Sequence, residues 1–170
     1  MENYEIDRLL VEISNGSVTA FEELYIKTRK GVFSFIYTYL QNYHDTEDAM
    51  QAVYLKIKQN IHSYAKGSNG RAWLLQIAKN YALDELRKRK QHIFSTIYST
   101  HDHAVIEDGS IMDIMQKTLD VDELRIVTLH VLWKYKHKEI AKMLDCPTGT
   151  ITSKYKRALD KMKKAIKEVW

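Results

Sequence analysis

The chain has 170 residues, 45% hydrophobic and 28% charged, with a net charge of only +4, a length that suits one domain or two small ones. Its single cysteine excludes an internal disulfide and fits a reducing compartment. No apolar run reaches the roughly 18 residues of a membrane span, and the acidic start "MENYEIDRLL" is unlike a signal peptide, so a cytoplasmic protein without membrane insertion is expected.

One proline and six glycines are too few for the turns of a sheet protein and predict an all-helical chain. A short helix is expected over 4–14. "NGS" at 15–17 breaks it, and Ser17 is the next N-cap candidate, with Thr19 as the alternative. A long helix follows from Thr19 to about Asn42, and its aromatic run "FSFIYTYL" at 33–40 reads as core. Asp45 is expected to open the third helix with Asp48 at N3, an acidic start that suits the helix dipole. That helix runs to about His62, with Ala49, Met50, Val53, Ile57 and Ile61 near one face. "KGSNG" at 66–70 reads as a loop. A helix from Arg71 to about Lys90 carries an inner stripe of Leu74, Ile77, Ala78 and Tyr81.

From about 91 to 110 periodicity fails, and the segment reads as a linker. His101, Asp102, His103 and Asp108 within it lack any further fixed ligand spacing and are read as chance, not as a metal site. Helices resume near 111–119, 121–133, 137–144 and 148–168. The predicted fold is all-α: two small helical domains, 1–91 and 115–170, joined by a flexible linker over 92–114, the C-terminal one a helix-turn-helix.

That motif is "KEIAKMLDCPTGTITSKYKRAL". Ala141 lets the second helix cross closely, and Ile140 and Leu144 point inward. Asp145 stands where the turn needs a left-handed backbone, which Asp tolerates better than most residues. Pro147 fits just before or at the start of the second helix, and Thr148 or Thr150 is the cap candidate. Cys146 reads as a small packing residue. Ile151, Tyr155, Ala158, Met162, Ala165 and Val169 form the inner stripe of the second helix. The outer face carries Ser153, Lys156, Arg157, Asp160 and Lys164, flanked by Gly149 and Thr152 nearer the N-terminus.

Between Thr148 and Glu168 seven basic residues face two acids, a surplus larger than the net charge of the whole chain. A second basic cluster, "RKRK", lies at 87–90. Two basic patches on a near-neutral chain suggest nucleic acid. Small hydroxyls followed by Arg and Lys suit a recognition helix in a major groove, where short side chains approach base edges and long cations read guanine or hold phosphate. No phosphate-binding glycine loop, catalytic triad or cofactor motif is present, so neither an enzyme nor a cofactor is expected.

Three segments resemble the extracytoplasmic-function (ECF) group of bacterial RNA polymerase sigma factors. "HDTEDAMQAVYLKI" resembles the acidic segment of region two, and "GRAWLLQIAKNYALDELRKRK" resembles the helix that follows it. "KEIAKMLDCPTGTITSKYKRALDKMKKAI" resembles the region-four motif. The resemblance implies that Asp45, Glu47, Asp48 and Gln51 dock on the β′ clamp helices of core polymerase, although dipole compensation alone accounts for the three acids. It implies that Tyr64, Lys66, Ser68 and Asn69 lie in a loop that captures a flipped minus-ten base, with Ile77 and Asn80 beneath it. Lys79, Arg87, Lys88 and Arg89 would grip phosphates, unless Arg87 pairs with Asp84. Gly149, Thr150, Thr152, Ser153, Lys156 and Arg157 match positions that read or hold the minus-thirty-five element.

The chain departs from the family pattern at Lys136, a residue that cannot accept a capping bond, and at Asp145 in place of glycine. Thr152 and Lys154 replace the family's frequent basic residue and arginine, leaving fewer arginines for guanine. Implied partners are core polymerase (β′ clamp helices and β flap), promoter DNA and, with no further domain read after Trp170, an anti-sigma factor. The alternative is a stand-alone helix-turn-helix regulator whose first half dimerises or senses.

Overall fold

A computed structural model describes residues 2–93 and 111–169. The chain divides into two units, Met1–Ala104 and Val105–Trp170. Among the described residues every regular element is helical. His101, Asp102, His103 and Asp108 lie outside those residues, and no cluster of three or more metal-ligating side chains occurs within them.

The first unit opens with α1 (Asn3–Ser14), which buries Ile6, Leu9, Leu10 and Ile13 at helical spacing. It ends in a glycine cap. Gly16 has φ +89°, its N–H donates to the Ile13 carbonyl at 2.9 Å, and Ser17 N–H donates to the Glu12 carbonyl at 3.1 Å. Ser17 then caps α2 (Val18–Leu40) by accepting from the Ala20 N–H at 3.2 Å, the first of the two expected caps. Thr28 on α2 is buried and shares a 2.7 Å hydrogen bond with the Tyr54 hydroxyl.

Helix α3 (Tyr43–Gln59) begins two residues before the expected Asp45. The reason is Asn42, whose Oδ1 accepts from the Asp45 N–H at 3.0 Å and makes Asp45, not Asp48, the N3 residue. It also ends before His62, because the chain tightens into a single 3-10 turn at Ile61–Ser63. Helix α4 (Gly70–Ile93) is capped by Asn69, whose Oδ1 accepts from the Ala72 N–H at 3.1 Å.

In the second unit α5 (Ile111–Thr118) is followed by α6 (Val121–Val127). Helix thus enters both ends of the segment 92–114 read as linker. The helix expected over 121–133 is α-helical only to Val127; Thr128–Leu132 widens into a π turn, with Trp133 N–H donating to the Thr128 carbonyl at 3.2 Å. The widened turn and the left-handed Lys134 (φ 58°) let Tyr135 N–H reach the Leu129 carbonyl at 3.0 Å.

Helix α7 (His137–Met143) starts without a side-chain acceptor at Lys136; Glu139 compensates by accepting the Lys136 N–H at 2.7 Å. Asp145 is left-handed, with φ 50°, and Cys146 N–H donates to the Ala141 carbonyl at 3.0 Å. This is the geometry of a glycine cap made with Asp. Pro147 stands just before α8 (Thr148–Val169), its carbonyl accepting from Thr150 N–H at 3.0 Å. Ile140, Ala141, Ile151 and Ala158 close the core between α7 and α8.

Candidate nucleic-acid interface

Helix α8 turns Ile151 and Ala158 inward and leaves Gly149, Thr150, Thr152, Ser153, Lys156 and Arg157 exposed. All six residues expected at the DNA face are therefore at the surface of one helix. Ser153, Lys156, Arg157, Asp160, Lys161 and Lys164 line one shallow depression. Gly149 has nothing within 4 Å of where a Cβ would stand, so no neighbour within the described residues requires glycine there. Thr152 is partly engaged: its hydroxyl donates to the Thr148 carbonyl at 3.0 Å and lies 3.2 Å from His137 Nδ1.

The bases of α8 are held from below by acids of α6. Glu123 is fully buried; its Oε2 accepts from Lys161 Nζ at 2.6 Å, and its Oε1 lies 3.2 Å from Arg157 Nε, off the hydrogen-bond direction. Asp122 pairs with Lys154, and the lysine holds the Asp122 carboxyl below the usual range. Sequence reading missed both acids. The signal available was "DVDE" at 120–123, the capping box in which Asp120 accepts from Glu123 N–H at 2.9 Å.

His137, His130 and Tyr155 form a ring cluster with centroids 4.6–5.0 Å apart. Burial first, and the neighbouring His130 second, hold the His137 imidazole below the ordinary histidine range. Its Nε2 is buried without a partner, so a proton placed there lacks an acceptor. The folded state therefore resists protonation, and the unfolded chain takes up the proton first. Stability from this site is present above about pH 6.5 and is lost as pH falls below it. Urea melts at pH 7.5 and 5.5 are expected to show a smaller drop in midpoint for His137→Gln than for the parent chain. Equal drops would remove His137 from the pH response.

In the first unit, the loop after Tyr64 meets the start of α4. The Tyr64 ring is only 9% exposed and lies 5.3 Å from Trp73. Its hydroxyl donates to Asp7, and burial together with that bond pushes the phenol up to about 12. Tyr64 thus braces the loop, with its hydroxyl occupied. Lys66, Ser68 and Asn69 are exposed, though Asn69 also serves as the α4 cap. Ile77, Asn80 and Arg87 fall on one stripe of α4 with Trp73 at its head. Ile77 is half-buried, and exposed Asn80 accepts from Gln76 Nε2 at 2.7 Å. Arg87 pairs with Asp84 at 2.7 Å, Lys88 with Glu85 at 2.7 Å, and Arg89 with Asp45.

The ridge on α3 is mixed. Asp48 and Gln51 are exposed, Glu47 accepts from the Tyr43 hydroxyl at 2.8 Å, and Asp45 is engaged by Arg89 and the helix start. Leu55, 60% exposed, continues the Asp48–Gln51 face by one turn. It went unnoticed in the sequence, where the signal was an apolar residue off the inner stripe.

Comparison with known proteins gives matches to Sigma-70 region 2 over residues 24–92 and to Sigma-70 region 4 over residues 115–162. The chain is 24% identical over 183 residues to the ECF RNA polymerase sigma factor SigW of Bacillus subtilis, covering 96% of this chain and 98% of that protein. It is 26% identical over 172 residues to the ECF RNA polymerase sigma-E factor of Escherichia coli K12, covering 89% and 90%. Among solved structures, RpoE of Bartonella quintana, crystallised with the anti-sigma factor NepR, is similar at TM-score 0.59 and 21% identity, covering 88% of this chain and 98% of that one. CnrH in complex with the cytosolic domain of CnrY is similar at TM-score 0.57 and 15% identity, covering 96% and 98%. With both sigma-70 regions matched in order, and ECF relatives spanning nearly the whole length, the chain belongs to the ECF group of RNA polymerase sigma factors.

Proposed function

We propose that this sigma factor divides its work between a polymerase-binding and minus-ten domain (1–91) and a minus-thirty-five domain (115–170), with 92–114 between them. Asp45, Glu47, Asp48 and Gln51 dock on the β′ clamp helices, and the C-terminal domain meets the β flap. Tyr64, Lys66, Ser68, Asn69, Ile77, Asn80 and Arg87 serve the minus-ten element. Gly149, Thr150, Thr152, Ser153, Lys156 and Arg157 serve the minus-thirty-five element. The observation that carries the reading is the exposed face of α8, small and hydroxylated at its start and basic beyond, on a chain that also matches region 2. That second match favours a sigma factor over a stand-alone helix-turn-helix regulator.

The polymerase performs the chemistry, so the sigma factor acts by binding. Among the described residues no helix is long and apolar enough to cross a membrane, in keeping with work in the cytoplasm on polymerase. The complexes of RpoE with NepR and of CnrH with CnrY support an anti-sigma factor as a further partner. The full-length chain is expected to co-elute with core polymerase and support initiation in vitro. Tight, specific duplex binding by the free chain with no affinity for core overturns the reading.

Gly149 gives a sharper test of the α8 face. A methyl group there meets nothing, and alanine is the better helix former by up to about 1 kcal/mol. Gly149→Ala is therefore expected to keep or raise stability in urea melts while weakening initiation that depends on the minus-thirty-five element. Undiminished initiation would show that DNA does not approach the backbone at Gly149.

A further inference from the structure

Helix α1 received no functional assignment, yet two of its side chains grip the loop assigned to the minus-ten element. Asp7 Oδ1 accepts from the Tyr64 hydroxyl and from the Gly67 N–H, the latter at 3.0 Å. One turn earlier, Asn3 Oδ1 accepts from the Arg71 N–H at 3.1 Å. The grip spans both ends of the segment: Tyr64 at its start, Gly67 in its middle, Arg71 on α4. Gly67 is left-handed, with φ +79°, so its N–H points back toward α1 without a Cβ penalty. Between these anchors the side chains of Lys66, Ser68 and Asn69 are exposed. Fixed backbone with exposed side chains is the arrangement a binding loop needs if ordering is not to oppose binding.

We propose that Asp7 is a positioning residue for minus-ten recognition: its carboxylate holds Tyr64 and Gly67 so that the loop meets the extruded base already shaped. The proposal rests on the assignment of that loop to the minus-ten element. Asp7 does not touch DNA; it acts through the loop. The phenol of Tyr64, displaced upward by burial and by Asp7, stays protonated and remains the donor at any physiological pH.

The test uses the full chain assembled with core polymerase on promoter fragments randomised across the minus-ten element, with open complexes selected and sequenced. Asp7→Ala is expected to leave assembly with core and the minus-thirty-five preference unchanged. It is expected to speed exchange of the Gly67 amide and to flatten the minus-ten preference about tenfold, as two lost hydrogen bonds allow. Asp7→Asn keeps an acceptor oxygen and is expected to restore the preference. Tyr64→Phe keeps the ring on Trp73 and is expected to show part of the loss.

A minus-ten preference that survives Asp7→Ala once Gly67 protection is gone overturns the proposal. So does a parallel loss of core assembly in Asp7→Ala and Tyr64→Phe, which marks Asp7 as general support. Lys66→Ala and Asn80→Ala separate positioning from reading. If they flatten the preference and Asp7→Ala does not, positioning alone falls; if none of the three does, the loop assignment falls with it.

Discussion

Replacing Glu123 with alanine is expected to destabilise the C-terminal unit by about 2 kcal/mol. The side chain is fully buried, pairs with Lys161 at 2.6 Å and lies 3.2 Å from Arg157 Nε. It also closes the α6 capping box by accepting the Asp120 N–H at 3.2 Å. Breaking a fully buried pair costs about 3–5 kcal/mol, because the remaining charge is stranded. Here the stranded charges retain water: the Arg157 and Lys161 side chains are 59% and 39% exposed, which lowers the figure. What remains is the lost capping bond, the emptied site and the looser hold of α6 on α8. Urea melts check it. A midpoint within error of the parent chain would mean that Arg157 and Lys161 gain as much from water as from Glu123.

Arg157 separates stability from readout. Arg157→Ala removes one ionic partner of Glu123 but leaves Lys161 in place, so the fold is expected to persist. Initiation that depends on the minus-thirty-five element is expected to weaken by about 1–3 kcal/mol, the range for one lost base contact. Unchanged promoter preference and activity would confine Arg157 to its pairing with Glu123.

These side chains also mark where sequence reading stops. The helices and the helix-turn-helix were legible because their signals are local. The inner stripe of α8 repeats at 3.6 residues, and Asp145 and Pro147 punctuate the turn as their backbone preferences dictate. The misplaced start of α3 was also a local matter: Asn42 and Asp45 compete as caps, and only the backbone shows that Asn42 accepts the bond. Glu123 beneath Arg157 and Asp7 beneath Tyr64 were not legible. They join residues 34 and 57 positions apart, and no periodicity connects such pairs. The same gap explains Tyr64. The resemblance put it in the loop that captures the flipped base, while its packing against Trp73 on α4 and its bond to Asp7 on α1 join distant segments and leave no local pattern.

Gly70→Val is expected to destabilise the N-terminal unit by about 3 kcal/mol, and Gly70→Ala by about 1 kcal/mol, within the range for overpacking. Gly70 is the first residue of α4 and lies against α1. A Cβ there would stand 3.0 Å from Ile6 Cγ2, 3.2 Å from the Asp7 backbone nitrogen and 3.2 Å from Leu10 Cδ1. Ile6 and Leu10 are fully buried, and the Asp7 nitrogen belongs to a helix that cannot yield locally. Relief comes only by moving α1 away, which also lifts Asp7 from Tyr64 and Gly67. Lost stability should therefore arrive together with a lost minus-ten preference. Gly149 supplies the internal comparison, since it too lies in the first turn of a helix but faces empty space. The same glycine-to-alanine change is expected to lower the urea midpoint at Gly70 and to preserve it at Gly149. Equal behaviour at both sites would show that α1 shifts freely, and would remove the steric argument that ties α1 to the loop.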